Sequence, residues 1–427
     1  VLMPKLKRFE VYEVEKPQYK TAPTKICWKL PPGLEILRLP NVSLNTSIAA
    51  LPQTLRVMTA YLSWHQINSE THPLPRMERL NIETNWGDEV QPLQLPPTLT
   101  RLHLKLRPRH SLEQECHLAK TLASLHMGDS CKLKYLALYG FPIVPFHAIP
   151  DSVTRLRIGQ AFNSFKPMDV TQVPSKLQSF EFRSVVGSPS FCPFPSTLKV
   201  LELVLLDDNP GYVRIPPSAE ELILGKWELD DVGFPNVKRL TCGKVPAFVP
   251  LIGFPNLESI YFSSEPNTVL DNFDWVPKQL KKLRVEIGRS FDPSKLHQLS
   301  DRQHLHTLAI RSNYKRGVVS TENWMIWRNT APLLPKNLTK LRLDFNRFYR
   351  LEPKIVWPKQ LLTLSLPTCD MALDQIQYLP THLKFLRLKS ITTPAKGWSQ
   401  LVESLHLSHP ELLIRGMMRT SNDKSLF

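Results

Sequence analysis

Leu338-Thr339-Lys340-Leu341-Arg342-Leu343 states a six-residue phrase, apolar-x-x-apolar-x-apolar, that recurs along the whole 427-residue chain. It returns as Leu34-x-x-Leu37-x-Leu39, Leu99-x-x-Leu102-x-Leu104, Val153-x-x-Leu156-x-Ile158 and Leu177-x-x-Phe180-x-Phe182. Further copies include Leu280-x-x-Leu283-x-Val285, Leu361-x-x-Leu364-x-Leu366 and Leu383-x-x-Leu386-x-Leu388. Eighteen copies begin at residues 6, 34, 55, 77, 99, 133, 153, 177, 198, 219, 237, 257, 280, 305, 338, 361, 383 and 402. Their spacing averages about 23 residues, the period of a solenoid in which each repeat is one structural unit.

The apolar-x-apolar ending has a period of two, so each phrase predicts a short strand with one buried face. Strands returning in the same phase stack into a parallel sheet, and no single coil can bury its leucines alone. At roughly 4.8 Å per strand, eighteen coils give a sheet on the order of 85 Å along its inner arc. Proline marks the entrance to the strand: 15 of the 18 copies place one two or three residues before the first apolar position. There its fixed φ turns the chain, and its missing N–H is lost before the ladder begins. This accounts for much of an unusual composition, 39 Pro against 15 Gly.

The phrase resembles the leucine-rich repeat over essentially the whole chain. The resemblance implies a horseshoe solenoid with a parallel concave β-sheet and a convex side that is mostly irregular or short-helical. The usual Asn or Cys after the strand occurs only at Asn85, Asn313, Asn346 and Cys369. The stretch Pro150-Asp151-Ser152-Val153-Thr154-Arg155-Leu156-Arg157-Ile158-Gly159-Gln160-Ala161-Phe162-Asn163 is similar to the FNIP subtype, and Phe345-Asn346 is a partial second match. One continuous solenoid is expected over 1–407, with a C-terminal cap or tail over 408–427 and insertions near 107–132 and 313–334. In the first insertion, Ser111-Leu112-Glu113-Gln114 reads as a capping box opening a helix to about Met127. In the second, Thr321 to Arg328 reads as a short helix after the basic loop at Lys315 and Arg316, which with Trp324 and Trp327 could contact a partner. The plainer alternative packs both tryptophans on the convex side.

Several function classes are excluded or disfavoured. There is no GxGxxG, GxxxxGK[ST], HExxH or GxSxG motif, and scarce glycine argues against a phosphate cradle. No catalytic residue is assigned, and no cofactor or metal is expected. His110, Cys116, His117, His126 and Cys131 match no zinc spacing, and His297, His304 and His306 form only a loose group. Six cysteines without a CxxC pair read as reduced thiols of an intracellular protein, cytoplasmic or nuclear. No apolar run reaches the length of a membrane span.

Charge points to a surface instead. The chain carries 54 Lys and Arg against 38 Asp and Glu, a formal net charge of +16. The two positions flanking the second apolar residue of each phrase face away from the core, giving 36 places over eighteen copies. They hold twelve cations: Arg8, Arg38, Arg79, Arg101, Arg155, Arg157, Arg239, Lys282, Arg284, Lys340, Arg342 and Arg387. Only four acids share that column, Glu10, Glu181, Glu202 and Glu221, and the last three fall in consecutive copies. The face is therefore expected to be basic, acidic in its middle, then basic again. Exposed strands favour long charged side chains in general, but that preference has no sign. The excess of Arg favours forked contacts with carboxylate or phosphate. Tyr135, Tyr261 and Phe385 are the column's only aromatics, so no base-stacking platform accompanies the cations.

The expected function is therefore a non-catalytic scaffold that presents a basic concave face to an acidic protein partner. A start in mid-pattern and the family resemblance suggest an alternative, the substrate-recognition arm of a ubiquitin ligase with its F-box upstream of Val1. Backbone-directed nucleic-acid binding, as in a ribonucleoprotein, is a second alternative. No membrane partner is expected.

Overall fold

A computed structural model of the chain describes residues 5–10, 29–39, 43–44, 50–63, 74, 76–85, 93–107, 125–126, 132–140, 146, 149–159, 173–184, 194–205, 212–213, 215–225, 228–229, 233–243, 251–263, 272–287, 293–312, 334–344, 357–372, 379–393, 403, 407 and 410–420. In chain order the strands are β1 (Arg8–Glu10), β2 (Ile36–Arg38), β3 (Ser43–Leu44), β4 (Val57–Ser63), β5 (Arg79–Asn85), β6 (Leu93–Gln94), β7 (Arg101–Arg107) and β8 (Leu125–His126). They continue as β9 (Tyr135–Tyr139), β10 (Arg155–Gly159), β11 (Ser179–Ser184), β12 (Val200–Leu205), β13 (Tyr212–Val213), β14 (Glu221–Leu224), β15 (Glu228–Leu229) and β16 (Arg239–Cys242). The last are β17 (Ser259–Ser263), β18 (Lys282–Ile287), β19 (Thr307–Ser312), β20 (Lys340–Asp344), β21 (Thr363–Ala372), β22 (Phe385–Thr393) and β23 (Leu413–Thr420). A strand starts at the third position of seventeen of the eighteen phrases.

These residues fall into two compact units, Val1–Ala219 with Gly225–Asp230, and Glu220–Leu224 with Asp231–Phe427. In the first, β1, β2, β4, β5, β7, β9, β10, β11 and β12 pair in that order, all parallel, and β3 lies along the far half of β4. Equivalent positions meet: Leu80 opposes Leu102, then Leu136, Leu156, Phe180 and Leu201. Two short pairs, β6 with β8 and β13 with β15, lie outside this ladder. In the second unit β14, β16, β17, β18, β19, β20, β21, β22 and β23 pair in chain order, again parallel.

The three apolar positions of the phrase form the core. Leu99, Leu102 and Leu104 are at most 2% exposed, and Leu338, Leu341 and Leu343 at most 1%. Burying one leucine contributes about 1.5–3 kcal/mol, and the interior rungs such as these each contribute three buried apolar residues. Phenylalanines fill the space behind the strands: Phe180 lies 6.4 Å from Phe146 and 5.5 Å from Phe194 in the first unit. In the second, Phe234 meets Phe254 at 5.0 Å.

The turn before each strand explains the proline. The N–H of the first apolar residue donates to the carbonyl three residues back, which belongs to proline in Leu55 to Pro52, Leu99 to Pro96, Val153 to Pro150, Leu177 to Pro174, Leu338 to Pro335 and Leu383 to Pro380. Proline thus opens a tight turn, where an acceptor is needed and a donor is not. The residue just before the first apolar position adds a rung-to-rung bond. Thr54 Oγ1 donates to the Leu34 carbonyl at 2.8 Å, Thr98 to Met77 at 2.9 Å, Thr197 to Leu177 at 2.7 Å, and Ser218 Oγ to Leu198 at 2.7 Å. Asn256 and Asn337 take the same place with their amide groups. A polar ladder therefore runs before the strands, at positions the post-strand asparagine pattern does not include.

One sequence expectation is corrected. Leu125–His126 pair as strand β8, so the first insertion is not helical to Met127; a helix ended there could not supply the extended backbone that meets β6. Residues 111–124 lie outside those described, as does the expected helix over Thr321 to Arg328. The segment expected as a C-terminal cap or tail carries a further rung. Glu403 and Leu407 sit in helical backbone with Leu407 82% exposed, and the next rung is β23, whose Ile414 opposes Leu386. The described helical segments outside that turn include short 3-10 helices at Leu251–Gly253 and Pro293–Leu299.

Candidate functional site

The parallel register determines which side chains meet on the outward sheet face. In the first unit Arg79 opposes Arg101, which opposes Tyr135, which opposes Arg155. Two residues further along the strands, Arg157 opposes Glu181 and Glu181 opposes Glu202. Arg157 Nε lies 2.9 Å from Glu181 Oε1, Arg183 Nε 2.7 Å from the same oxygen, and Arg183 Nη2 2.6 Å from Glu202 Oε1. The three consecutive acids expected as an acidic middle are thus each met by arginine, Glu221, which belongs to the second unit, by Arg239 at 2.5 Å. Burial and the neighbouring Glu202 still hold the Glu181 carboxyl above its usual range.

Arg157 is placed by an aromatic shelf. Its guanidinium lies 5.4 Å from the Tyr139 ring centre, and the His103 ring sits 4.7 Å away on the same tyrosine. The shelf needs Gly159: a Cβ there would lie 2.6 Å from Tyr139 Cδ1. Burial pushes the Tyr139 phenol up to about 12.

Arg79 and Arg101 are arranged differently. Among the described residues neither has a carboxylate partner. Glu78, beside Arg79 in the chain, is held by Arg56, whose Nε donates to its Oε1 at 3.0 Å. The Arg79 guanidinium is pushed below its ordinary value by burial, then by the charges of Arg101 and Arg38. Arg155 also has no ion pair among the described residues, whereas Arg38 meets Glu10 at 3.0 Å.

The second unit shows the same division. Arg284 Nη2 contacts Glu286 at 3.2 Å and lies over the Tyr261 ring at 4.5 Å. Arg342 contacts Asp344 at 2.9 Å, and Arg311 reaches Glu286 at 3.7 Å and Asp344 at 3.9 Å. Lys282 and Lys340 have no ion pair among the described residues, being separated by Thr307 in register. Arg387 opposes Arg415.

Sequence reasoning missed Tyr139, Arg183, Glu286, Arg311 and Asp344, all two residues beyond the counted column, and Arg415 in the uncounted last rung. The signal was available: the alternation continues one step further along many of the strands, and that step adds Glu286 and Asp344 beside arginines of the counted column. Lys315, Arg316, Trp324 and Trp327 lie outside the described residues, as do His110, Cys116, His117 and Cys131, and only the backbone of His126 is described. No group of three or more His, Cys, Asp or Glu that could hold a metal occurs among the described residues. Burial pushes the Cys242 thiol up to about 12, which leaves it without nucleophilic character.

Within each unit the phrases pair in register and stack their buried apolar positions rung on rung, which decides the fold. Each unit is a leucine-rich-repeat-like parallel solenoid. No family model matches the chain, and no curated protein does. Among solved structures it is similar to the circular leucine-rich-repeat protein CroV588, at 16% identity and a TM-score of 0.46, over 98% of this chain and 70% of that one. No helix among the described residues is long and apolar enough to cross a membrane.

Proposed function

We propose that this chain is a non-catalytic protein–protein interaction scaffold whose outward sheet face recognises an acidic partner. One observation carries the proposal, the division of the face cations into two classes. Arg157, Arg183, Arg239, Arg284, Arg311 and Arg342 are held by carboxylates of their own or adjoining rungs. Arg79, Arg101, Arg155, Lys282, Lys340 and Arg387 have no such partner among the described residues. Like charges facing each other across a ladder are destabilising, and where Glu181 opposes Glu202 the fold neutralises them with Arg183. Leaving Arg79 opposite Arg101 bare fits a surface completed by someone else's negative charge. An intracellular setting, cytoplasmic or nuclear, accompanies this proposal, with Lys315, Arg316, Trp324 and Trp327 as further contacts.

Capture of partners from nuclease-treated lysate tests it. Charge reversal at Arg79 and Arg101, combined with Lys282→Glu and Lys340→Glu, is expected to reduce capture of the acidic partner at least tenfold. An unchanged set of captured proteins sinks the proposal. As the substrate arm of an F-box ubiquitin ligase, with FNIP-like repeats such as the one around Gly159, the longer protein would bring ligase subunits into the same capture. In the nucleic-acid alternative the cations contact a phosphate backbone, and binding then disappears with nuclease and falls steeply with salt.

A further inference from the structure

We propose that Arg79 and Arg101 form a phosphomonoester site, so that the acidic partner is a phosphorylated peptide. This rests on the acidic-partner function above and narrows it to one ligand chemistry. The two residues are direct register partners on β5 and β7, one strand spacing apart, about 4.8 Å. Two guanidinium forks at that spacing can converge on one acceptor group. A carboxylate offers one charge and two oxygens, enough for one fork. A phosphomonoester offers a charge of about −1.5 to −2 and three acceptor oxygens, enough for both.

The surroundings favour a single compact anion over an extended chain. Arg79 is already affected by the fields of both Arg101 and Arg38, so positive potential concentrates on these rungs. Glu78, the carboxylate whose field opposes theirs at Arg79, is turned to Arg56 on the neighbouring rung. Beyond Arg101 the cation column is interrupted by Tyr135. Further on, the face carries the internally paired Arg157 and Glu181. A polyphosphate backbone would need a longer unbroken row. Asn81 and His103 stand on the same face, two residues beyond Arg79 and Arg101 and opposite each other. They offer polar contacts to the residues beside the phosphate, with the His103 ring steadied by Tyr139.

Binding of the full chain to degenerate peptide libraries tests the site. Three libraries share flanking composition and differ only at the centre: phosphoserine, serine or glutamate. The phosphoserine library is expected to be retained at least tenfold more than either of the others. Arg79→Lys with Arg101→Lys keeps both charges but removes the forks, and should lose most of that preference with an unchanged circular-dichroism spectrum. Arg311→Gln, in the second unit, should leave it intact. Equal retention of the glutamate and phosphoserine libraries overturns the phosphate site while leaving acidic recognition standing. Retention of none of the libraries overturns the site too; loss of protein capture in the charge-reversal variant would then still support the scaffold. Displacement of all retained peptide by a single-stranded oligonucleotide at low concentration overturns it in favour of nucleic acid.

Discussion

Gly159 shows how one missing side chain positions another residue's charge. The Tyr139 ring lies over the glycine, and Arg157 and His103 pack on that ring. Gly159→Ala places a methyl group inside the ring's space, and overpacking of this kind costs about 1–3 kcal/mol. Chemical denaturation should show that loss, and Tyr139→Ala in the same chain should recover part of it. Tyr139 also has a pH signature. Its folded value, about 12, lies above the ordinary phenol value near 10. The fold therefore favours the neutral phenol, and the associated stability is complete below pH 10 and lost as pH rises toward 12. Stability measured across that window should fall less steeply in Tyr139→Phe than in the parent chain. At Glu181 burial and Glu202 raise the carboxyl, so its protonation is favoured by folding and this group does not drive acid unfolding.

At the scale of the strand and its turn, the rung is held from both ends. Leucines anchor the strand, while a proline carbonyl and a hydroxyl anchor the approach to it. Thr54→Val, Thr98→Val and Thr197→Val should each cost about 0.5–1.5 kcal/mol, the usual net worth of such a bond. Leu156→Ala should cost about 2–5 kcal/mol, and the two classes are separable by denaturant titration. The leucine phrase was legible in the sequence because burial imposes a strict pattern on three of six positions. The threonine ladder was not, because Thr, Ser and Asn all serve there and no single residue type repeats. The end of the pattern was hardest to read. The phrase opening at Val402 matches the pattern but stands in a segment with helical backbone at Glu403 and Leu407, whereas β23 begins Leu413-Ile414-Arg415, where Ile414 takes the phrase position opposite Leu386. Pairing with a finished neighbour, which no local pattern records, selects the strand.

For the molecule as a whole, a formal charge of +16 points to a face that is basic over most of its length. The three-dimensional arrangement redistributes that charge, because acids at Glu286 and Asp344, one alternation further along, close onto arginines of the counted column. A count by column sees sign but not pairing, and pairing is decided by register between strands. The bare cations are therefore a smaller and more specific set than the basic excess. Each rung touches only its neighbours, so stability is close to a sum of rung and interface contributions. Hydrogen exchange is expected to be slowest in the middle rungs of each unit, such as β7 and β19, and fastest in β1 and β23.

The bonds that join rungs connect equivalent places: a pre-strand hydroxyl to the preceding rung's first leucine, a leucine to the leucine opposite. Such a chain can change its length in whole steps without inventing a new interface. Removal of residues 237–256 takes out one complete rung, β16, and brings Leu222 opposite Ile260 with every buried position still matched by a buried one. That shortened chain should fold and melt cooperatively a few degrees lower, while removal of 237–246 alone should leave it unfolded or aggregated. Gain and loss of whole rungs is thus a route by which the recognition surface can be lengthened or trimmed in descent while the architecture stays fixed.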